Sequence, residues 1–333
     1  MTKKGVLATL ISGIFGLVLV ALIAAVDPTV LKTFADGTRD MNFGYAGLFA
    51  LLTLVNIWLT AYKWKILSLS VSASPEKLSC FSFRAYTAVN AAVSQFLPPT
   101  VATVGVRSLA MKAYGYFPIK AGVALSLFDK FFDLVVLLPM LAGAVCLFIG
   151  NSTLFALMVF VSSIFLCGIG VIWLVSSVQM REDETGPLWY RKVESVLAAT
   201  RSLRKPKFLA LIYGLSALRA GVLFARVLAA ALAVKVFVTP IDLFTAFPFA
   251  QLTALVPVTP ANLGIAEWTW VGVLSGVGIT YVAAAAFALA HRMLHFVSVI
   301  VAGGAGMVYL ISTHQYSPRP FEGSAEDPHQ RPE

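Results

Sequence analysis

Apolar residues fall in runs far longer than the stripes of a globular helix. Segments 6–26, 43–62, 119–149, 154–178, 208–234 and 280–312 are each long enough to cross a hydrocarbon core about 30 Å thick, which needs about 20 residues rising 1.5 Å apiece. Two further apolar stretches, 84–115 and 243–278, are broken near their middles by Pro98-Pro99 and by Pro257 and Pro260. Proline suits the first turn of a helix and costs about 3 kcal/mol in its interior. Each stretch therefore reads as two half-helices meeting at a proline tip, a re-entrant hairpin. Lipid does not tolerate the unpaired backbone of such a tip, so both tips are expected to be buried in protein or to line a wet cavity. The predicted fold is all-α and integral to the membrane, with six full spans and two re-entrant helical hairpins.

Charge placement orients this arrangement. With the N-terminus inside, segments 1–5, 63–84, 179–207 and 313–333 hold fifteen Lys/Arg, and the outside segments 27–42, 150–153 and 235–242 hold three. This satisfies the positive-inside rule and puts both termini in the cytoplasm. Residues 1–150 then read span, span, hairpin, span, and 151–312 repeat that order upside down, an inverted-topology repeat. Internal similarity agrees. AGVALSLFDKFFDLVV (121–136) aligns without gaps on AAAAFALAHRMLHFVS (283–298), placing Lys130 on Arg292 and the pair Asp129/Asp133 on His291/His295. LPPTVATVGV (97–106) likewise aligns on VPVTPANLGI (256–265), matching Pro98 to Pro257 and Gly105 to Gly264.

Composition narrows the class. Of 333 residues, 59% are hydrophobic and 12% charged, which excludes a soluble globular domain. The net charge of +9 lies mainly in short loops beside apolar segments, so it reads as membrane orientation and not as a nucleic-acid surface. Lys3 and Lys4 precede a first apolar run longer than a signal-peptide core, which reads as a retained span. Cys80, Cys146 and Cys167 have no metal-ligand spacing, and neither a disulfide nor cysteine chemistry is expected. RKVESVLAATRSLRKPK within 179–207 is an orientation signal or a basic interfacial helix drawn to anionic lipid. Residues 313–333 read as a disordered cytoplasmic tail.

The candidate chemistry is charge at depth. Asp129 lies nine residues past Lys120, about 13 Å along a helix, and Arg292 is at similar depth. Arg219 and Arg226, seven apart, share a helix face. Arg107, Lys130, Arg219, Arg226 and Arg292 are candidate cations for an anionic headgroup, with the helix N-termini at the proline tips as phosphate seats. Asn90 and Glu267 are candidates to orient hydroxyls or amines. The competing reading is that Asp129, Asp133, Glu267 and these cations neutralise one another structurally. His291 and His295 have the spacing of a zinc-protease helix without its Glu, so no metal is expected. They read either as hydrogen-bonding groups or as a proton-sensitive pair beside Asp129/Asp133. No nucleotide motif or cofactor signature accompanies them.

The segments FRAYTAVNAAVSQFLPPTVATVGVRSLAMKAYG, FDKFFDL, VPVTPANLGIAEW and HRMLHF together resemble the flippase-like family named for the lysylphosphatidylglycerol synthase transmembrane domain. The resemblance covers roughly residues 5–312, most specifically at Asn90, Pro98, Gly105, Arg107, Pro257, Pro260, Gly264 and Glu267. It implies a bacterial or archaeal inner-membrane protein that moves lipids between leaflets. The family usually carries Pro-Gly-Gly-Leu-Gly at the second tip, where this chain has Pro260-Ala261-Asn262-Leu263-Gly264. The soluble aminoacyl-transferase fused to some relatives is not expected, so a separate lipid-synthesis enzyme is a candidate partner. The expected function is translocation of an anionic phospholipid or polyprenyl-phosphate-linked lipid, with no cofactor. The alternatives are a membrane transferase using Asp129 or Glu267 as base, and a non-transporting scaffold.

Overall fold

The computed structural model describes residues 3–70, 79–113, 119–177, 205–253 and 259–313. All regular structure among them is helical. Helix α1 (Lys3–Val26) turns sharply at Asp27 into α2 (Thr29–Arg39), the two axes bending by 98°. Asp27 Oδ1 holds the corner by accepting hydrogen bonds from Thr29 N at 2.9 Å and Thr29 Oγ1 at 2.7 Å. Segment 27–42, expected as a loop, is thus largely helix. α2 is strongly amphipathic and packs against the last helix, burying Val30.

α3 (Phe43–Leu69) is capped by Asn42, whose Oδ1 accepts from Gly44 N and Tyr45 N. The helix continues seven residues past the predicted limit of 62, because Lys63 is buried in protein and does not mark the membrane surface. α4 (Cys80–Val93) and α5 (Pro99–Ala113) are two helices on either side of Pro98-Pro99, the first beginning four residues before the apolar stretch 84–115. Pro99 occupies the first helical position of α5, as its missing N–H favours. α6 (Ile119–Phe148), α7 (Thr153–Ser177) and α8 (Pro206–Ala233) fall close to the predicted spans. α9 (Pro240–Leu252) is started by a reciprocal capping box between Thr239 and Asp242. A 3₁₀ turn (Pro260–Asn262), α10 (Ile265–Gly276) and α11 (Tyr281–Ser312) complete the chain. Pro257, most of the basic loop 179–207 and almost all of the tail 313–333 lie outside the described residues.

Among the described residues five helices are long and apolar enough to cross a membrane, namely those at 43–70, 122–148, 153–173, 206–233 and 281–312, with a sixth if the bent α1–α2 pair forms one span. Their outward faces are apolar: on α7, Leu154, Met158, Phe165, Leu166 and Ile169 are all exposed. No globular protein would leave such a stripe to water. α4 and α11 approach closely: a Cβ built on Gly303 would fall 2.4 Å from Ala92 Cβ. Small residues let these two backbones approach in a setting where packing, and not water exclusion, drives helix association. α3 packs on α8, α5 and α9 both pack on α6, and α10 packs on α11.

Candidate functional site

Ionisable side chains converge between these helices in two clusters. In the first, Asp129 and Asp133 stand one turn apart on α6 and face the same way. Lys63 of α3 reaches between them, with Nζ 2.6 Å from Asp129 Oδ1 and 2.7 Å from Asp133 Oδ1, and bonds Ser216 Oγ of α8 at 2.8 Å. Arg107 of α5 takes the other oxygen of Asp129 at 2.6 Å, and Arg219 of α8 takes the other oxygen of Asp133 at 2.6 Å. Lys63, Arg107 and Asp129 are all at least 97% buried. Such charges are tolerated only because each carboxylate meets two cations. Lys130 stands apart, 29% exposed and 4.0 Å from Asp133.

The second cluster is poorer in negative charge. Arg226 of α8, 6% exposed, has Nη1 3.3 Å from His295 Nδ1 and lies over the Phe49 ring at 5.3 Å. Its Nε has no hydrogen-bond partner, and no carboxylate pairs with it among the described residues. His291 sits among the rings of Phe49, Trp270 and Phe287. The two histidines are therefore placed by Arg226 and by aromatic packing, on the same cavity wall as Asp129 and Asp133, whose carboxylates are taken by Lys63, Arg107 and Arg219. Among the described residues no group of three His, Cys, Asp or Glu side chains is arranged to hold a metal.

Arg292 performs a different task. Its Nη1 donates to Ala261 O at 2.9 Å and its Nε stands 3.3 Å from Glu267 Oε1, while Glu267 Oε2 accepts from Gly264 N at 2.7 Å. The N-terminus of α10, expected to seat a phosphate, is thus occupied by the chain's own carboxylate. Ala261 N in turn donates to Leu97 O at 3.3 Å, so the two proline tips touch through their backbones. Ala261 and Asn262 adopt φ of 51° and 56°, and Gly264 adopts 83°. The first two are the positions where the resembling family carries Gly-Gly, and that left-handed backbone is what glycine tolerates best.

A cavity of about 250 Å³ runs between the clusters. Eleven of the residues singled out from sequence line it: Asn90, Arg107, Asp129, Lys130, Asp133, Arg219, Arg226, Glu267, His291, Arg292 and His295. Pro98, Gly105, Pro260 and Gly264 do not; three of them shape the tips, and a Cβ on Gly105 would meet nothing within 4 Å. Sequence reasoning missed Lys63, Asn56, Gln95, Gln251 and Asn262, all on the cavity wall. A detectable signal was present: Asn56 and Lys63 lie 163 positions before Arg219 and Arg226, nearly the spacing of the other repeats. Asn56 Oδ1 accepts from Arg219 Nε at 3.1 Å, so one such pair is in direct contact. The wall carries six cations (Lys63, Arg107, Lys130, Arg219, Arg226, Arg292) and three carboxylates (Asp129, Asp133, Glu267), leaving three positive charges uncompensated when both histidines are neutral.

A second, smaller cavity of about 100 Å³ shares Lys130, Asp133, Arg219, Leu223 and Gln251 with the first and continues along Leu134, Leu137, Ala220 and Phe247. No curated protein and no solved structure matches the chain. A family match does exist, and it extends over residues 6–303. With these apolar helices, it makes the chain a multi-pass membrane protein whose function is related to lipid. The chain belongs to the family described as the lysylphosphatidylglycerol synthase TM region.

Proposed function

We propose that this protein translocates an anionic lipid between leaflets, carrying its headgroup through the cationic cavity and its chains along the apolar extension. The observation that carries the reading is the excess of three positive charges on a cavity wall inside an apolar helical body. Charge in such a place is costly and calls for a compensating partner. The continuity of the polar cavity with one lined by Leu134, Leu137 and Phe247 favours an amphiphile over a soluble anion.

In this reading residues 1–150 and 151–312 are inverted copies, six spans and two re-entrant hairpins, set in a bacterial or archaeal inner membrane with both termini cytoplasmic. Reciprocal packing supports it: the first arm of one hairpin, α4, packs on the last helix of the second half, and α9 packs on the last helix of the first half. Exchange proceeds by alternating exposure of the cavity, with the Leu97–Ala261 contact between tips as the seam that opens. Arg226, His295, Lys130, Asn90, Gln95 and Gln251 are the groups proposed to meet the headgroup. Asp129, Asp133, Arg107, Lys63, Glu267 and Arg292 hold the walls. The transferase alternative is disfavoured because both oxygens of Asp129 face cations and Glu267 caps a helix, which leaves neither free to take a proton. A lipid-synthesis enzyme supplying the substrate remains the proposed partner.

The test is reconstitution in liposomes with a fluorescent anionic lipid, following access of a membrane-impermeant quencher. Wild-type protein is expected to exchange the lipid well above protein-free vesicles, and Arg226→Gln to slow it about tenfold or more, the scale of losing one buried charge contact. Exchange no faster than in protein-free vesicles would overturn the proposal.

A further inference from the structure

The two charge clusters are unequal in a way that specifies the ligand. Lys63 and Arg226 occupy positions 163 apart on α3 and α8, and the helices that face them, α6 and α11, carry Asp129/Asp133 and His291/His295 at a spacing of 162. Lys63 therefore meets two carboxylates at 2.6 and 2.7 Å. Arg226, at the matching position, meets an imidazole at 3.3 Å and an aromatic face. One half has its buried cation neutralised from within; the other keeps its cation waiting for charge from outside.

We infer that the cavity is matched to a headgroup bearing at least two negative charges, a phosphomonoester or a diphosphate, with one phosphate seated on Arg226. This rests on the lipid reading above. The charge count decides between headgroups. A zwitterion would leave all three excess charges of the wall uncompensated and a phosphodiester two, whereas a phosphomonoester, near −2 at neutral pH, leaves about one. Uncompensated buried charge is the costliest of these outcomes. The chemistry of the seat agrees: a guanidinium presents a planar fork to phosphate, Arg226 is 94% buried by its 6% exposure, its Nε is unpartnered, and Phe49 supports its plane. Lys130, more exposed and only loosely paired with Asp133, is a second cation on the same cavity wall.

The experiment uses the purified full-length protein in zwitterionic nanodiscs and compares binding of short-chain phosphatidate, short-chain phosphatidylglycerol and inorganic phosphate. Phosphatidate is expected to bind at least about tenfold tighter than phosphatidylglycerol, the size of effect one buried charge contact supplies. His295→Asp reproduces beside Arg226 the arrangement Asp133 makes with Lys63, so this variant is expected to stay folded and monodisperse while the preference falls to about twofold or less. Arg226→Lys keeps the charge and loses the fork, so it is expected to weaken binding of both lipids while the preference between them persists. Equal binding of the two lipids by wild-type protein, or an unchanged preference in His295→Asp, overturns the inference. Inorganic phosphate binding as tightly as phosphatidate overturns the lipid reading beneath it and leaves the phosphate seat standing. Leaflet exchange is a separate measurement, so preference without exchange defeats the transport reading alone.

Discussion

Replacing Lys63 by Met removes the charge that both carboxylates of α6 share while keeping nearly the same volume. The magnitude follows from the geometry. Each Lys63–carboxylate contact, at 2.6 and 2.7 Å, is worth about 6 kcal/mol of direct attraction at an effective dielectric near 20. Desolvation of the ammonium offsets most of that, and the net cost of removing one member of a buried pair is about 3–5 kcal/mol. Asp129 keeps Arg107 and Asp133 keeps Arg219, each at 2.6 Å, so the lower part of that range, about 3 kcal/mol, is expected. The unfolding free energy in mixed micelles under a denaturing detergent titration measures it. Asp133→Asn breaks the same Lys63–Asp133 contact, which the double variant loses only once, so the double variant is expected to be more stable than the sum of the single effects by about 1 kcal/mol or more, the coupling typical of groups in one network. A Lys63→Met protein within about 0.5 kcal/mol of wild type, the behaviour of a surface site, would refute the assignment of Lys63 as the hinge pin of the cluster.

Three other outcomes are expected. Ala261→Gly relieves a φ of 51°, a conformation costing an L-residue about 1–2 kcal/mol, and should raise unfolding stability by up to about 1 kcal/mol once the added freedom of the unfolded chain is deducted; Ala261→Val should lower it in the same titration. Gly303→Val drives a side chain into Ala92 and should cost about 1–3 kcal/mol by overpacking, with a fall in the monodisperse yield on size exclusion; an unchanged yield and stability would contradict the close α4–α11 contact. Single-cysteine variants retaining exposed Cys80, or carrying Phe237→Cys at a site 98% exposed, should react with an impermeant maleimide from opposite faces of sealed vesicles, Cys80 from the side of the N-terminus. Modification of both from one side would sink the inverted arrangement.

The helices were legible in the sequence wherever apolar length spoke alone. α6, α7, α8 and α11 begin and end within two residues of the predicted limits, because lipid thickness imposes a length that any apolar run must meet. Errors arose where a polar residue carried two meanings. Lys63 looks like the end of a span because lysine ordinarily marks the membrane surface, yet α3 continues to Leu69 and the ammonium turns inward. Segment 27–42 looks like a loop because Asp27, Pro28, Gly37 and Asp40 break its apolar character, yet α2 forms an amphipathic helix once α11 offers a surface for Val30.

The same double meaning governs the site. Residue type identified which side chains converge: most of the expected cations and carboxylates do line one cavity. It did not assign them to partners, because one sequence position does not reveal which of several charges lies across the cavity. Glu267 and Arg292 were read either as headgroup contacts or as members of a structural ion-pair network, and they bond Gly264 and Ala261 at the second tip while also lining the cavity. Lys63 was counted as a topological signal and instead neutralises the acidic pair. Assigning these residues to the framework sharpens what is left. Once Asp129, Asp133 and Glu267 are committed to protein cations, Arg226 is the deeply buried cation in the cavity whose partners among the described residues carry no negative charge. Histidines at 291 and 295, where the similar helix α6 carries Asp129 and Asp133, are then the difference that, in the proposed reading, separates a self-compensated cluster from a receptive one.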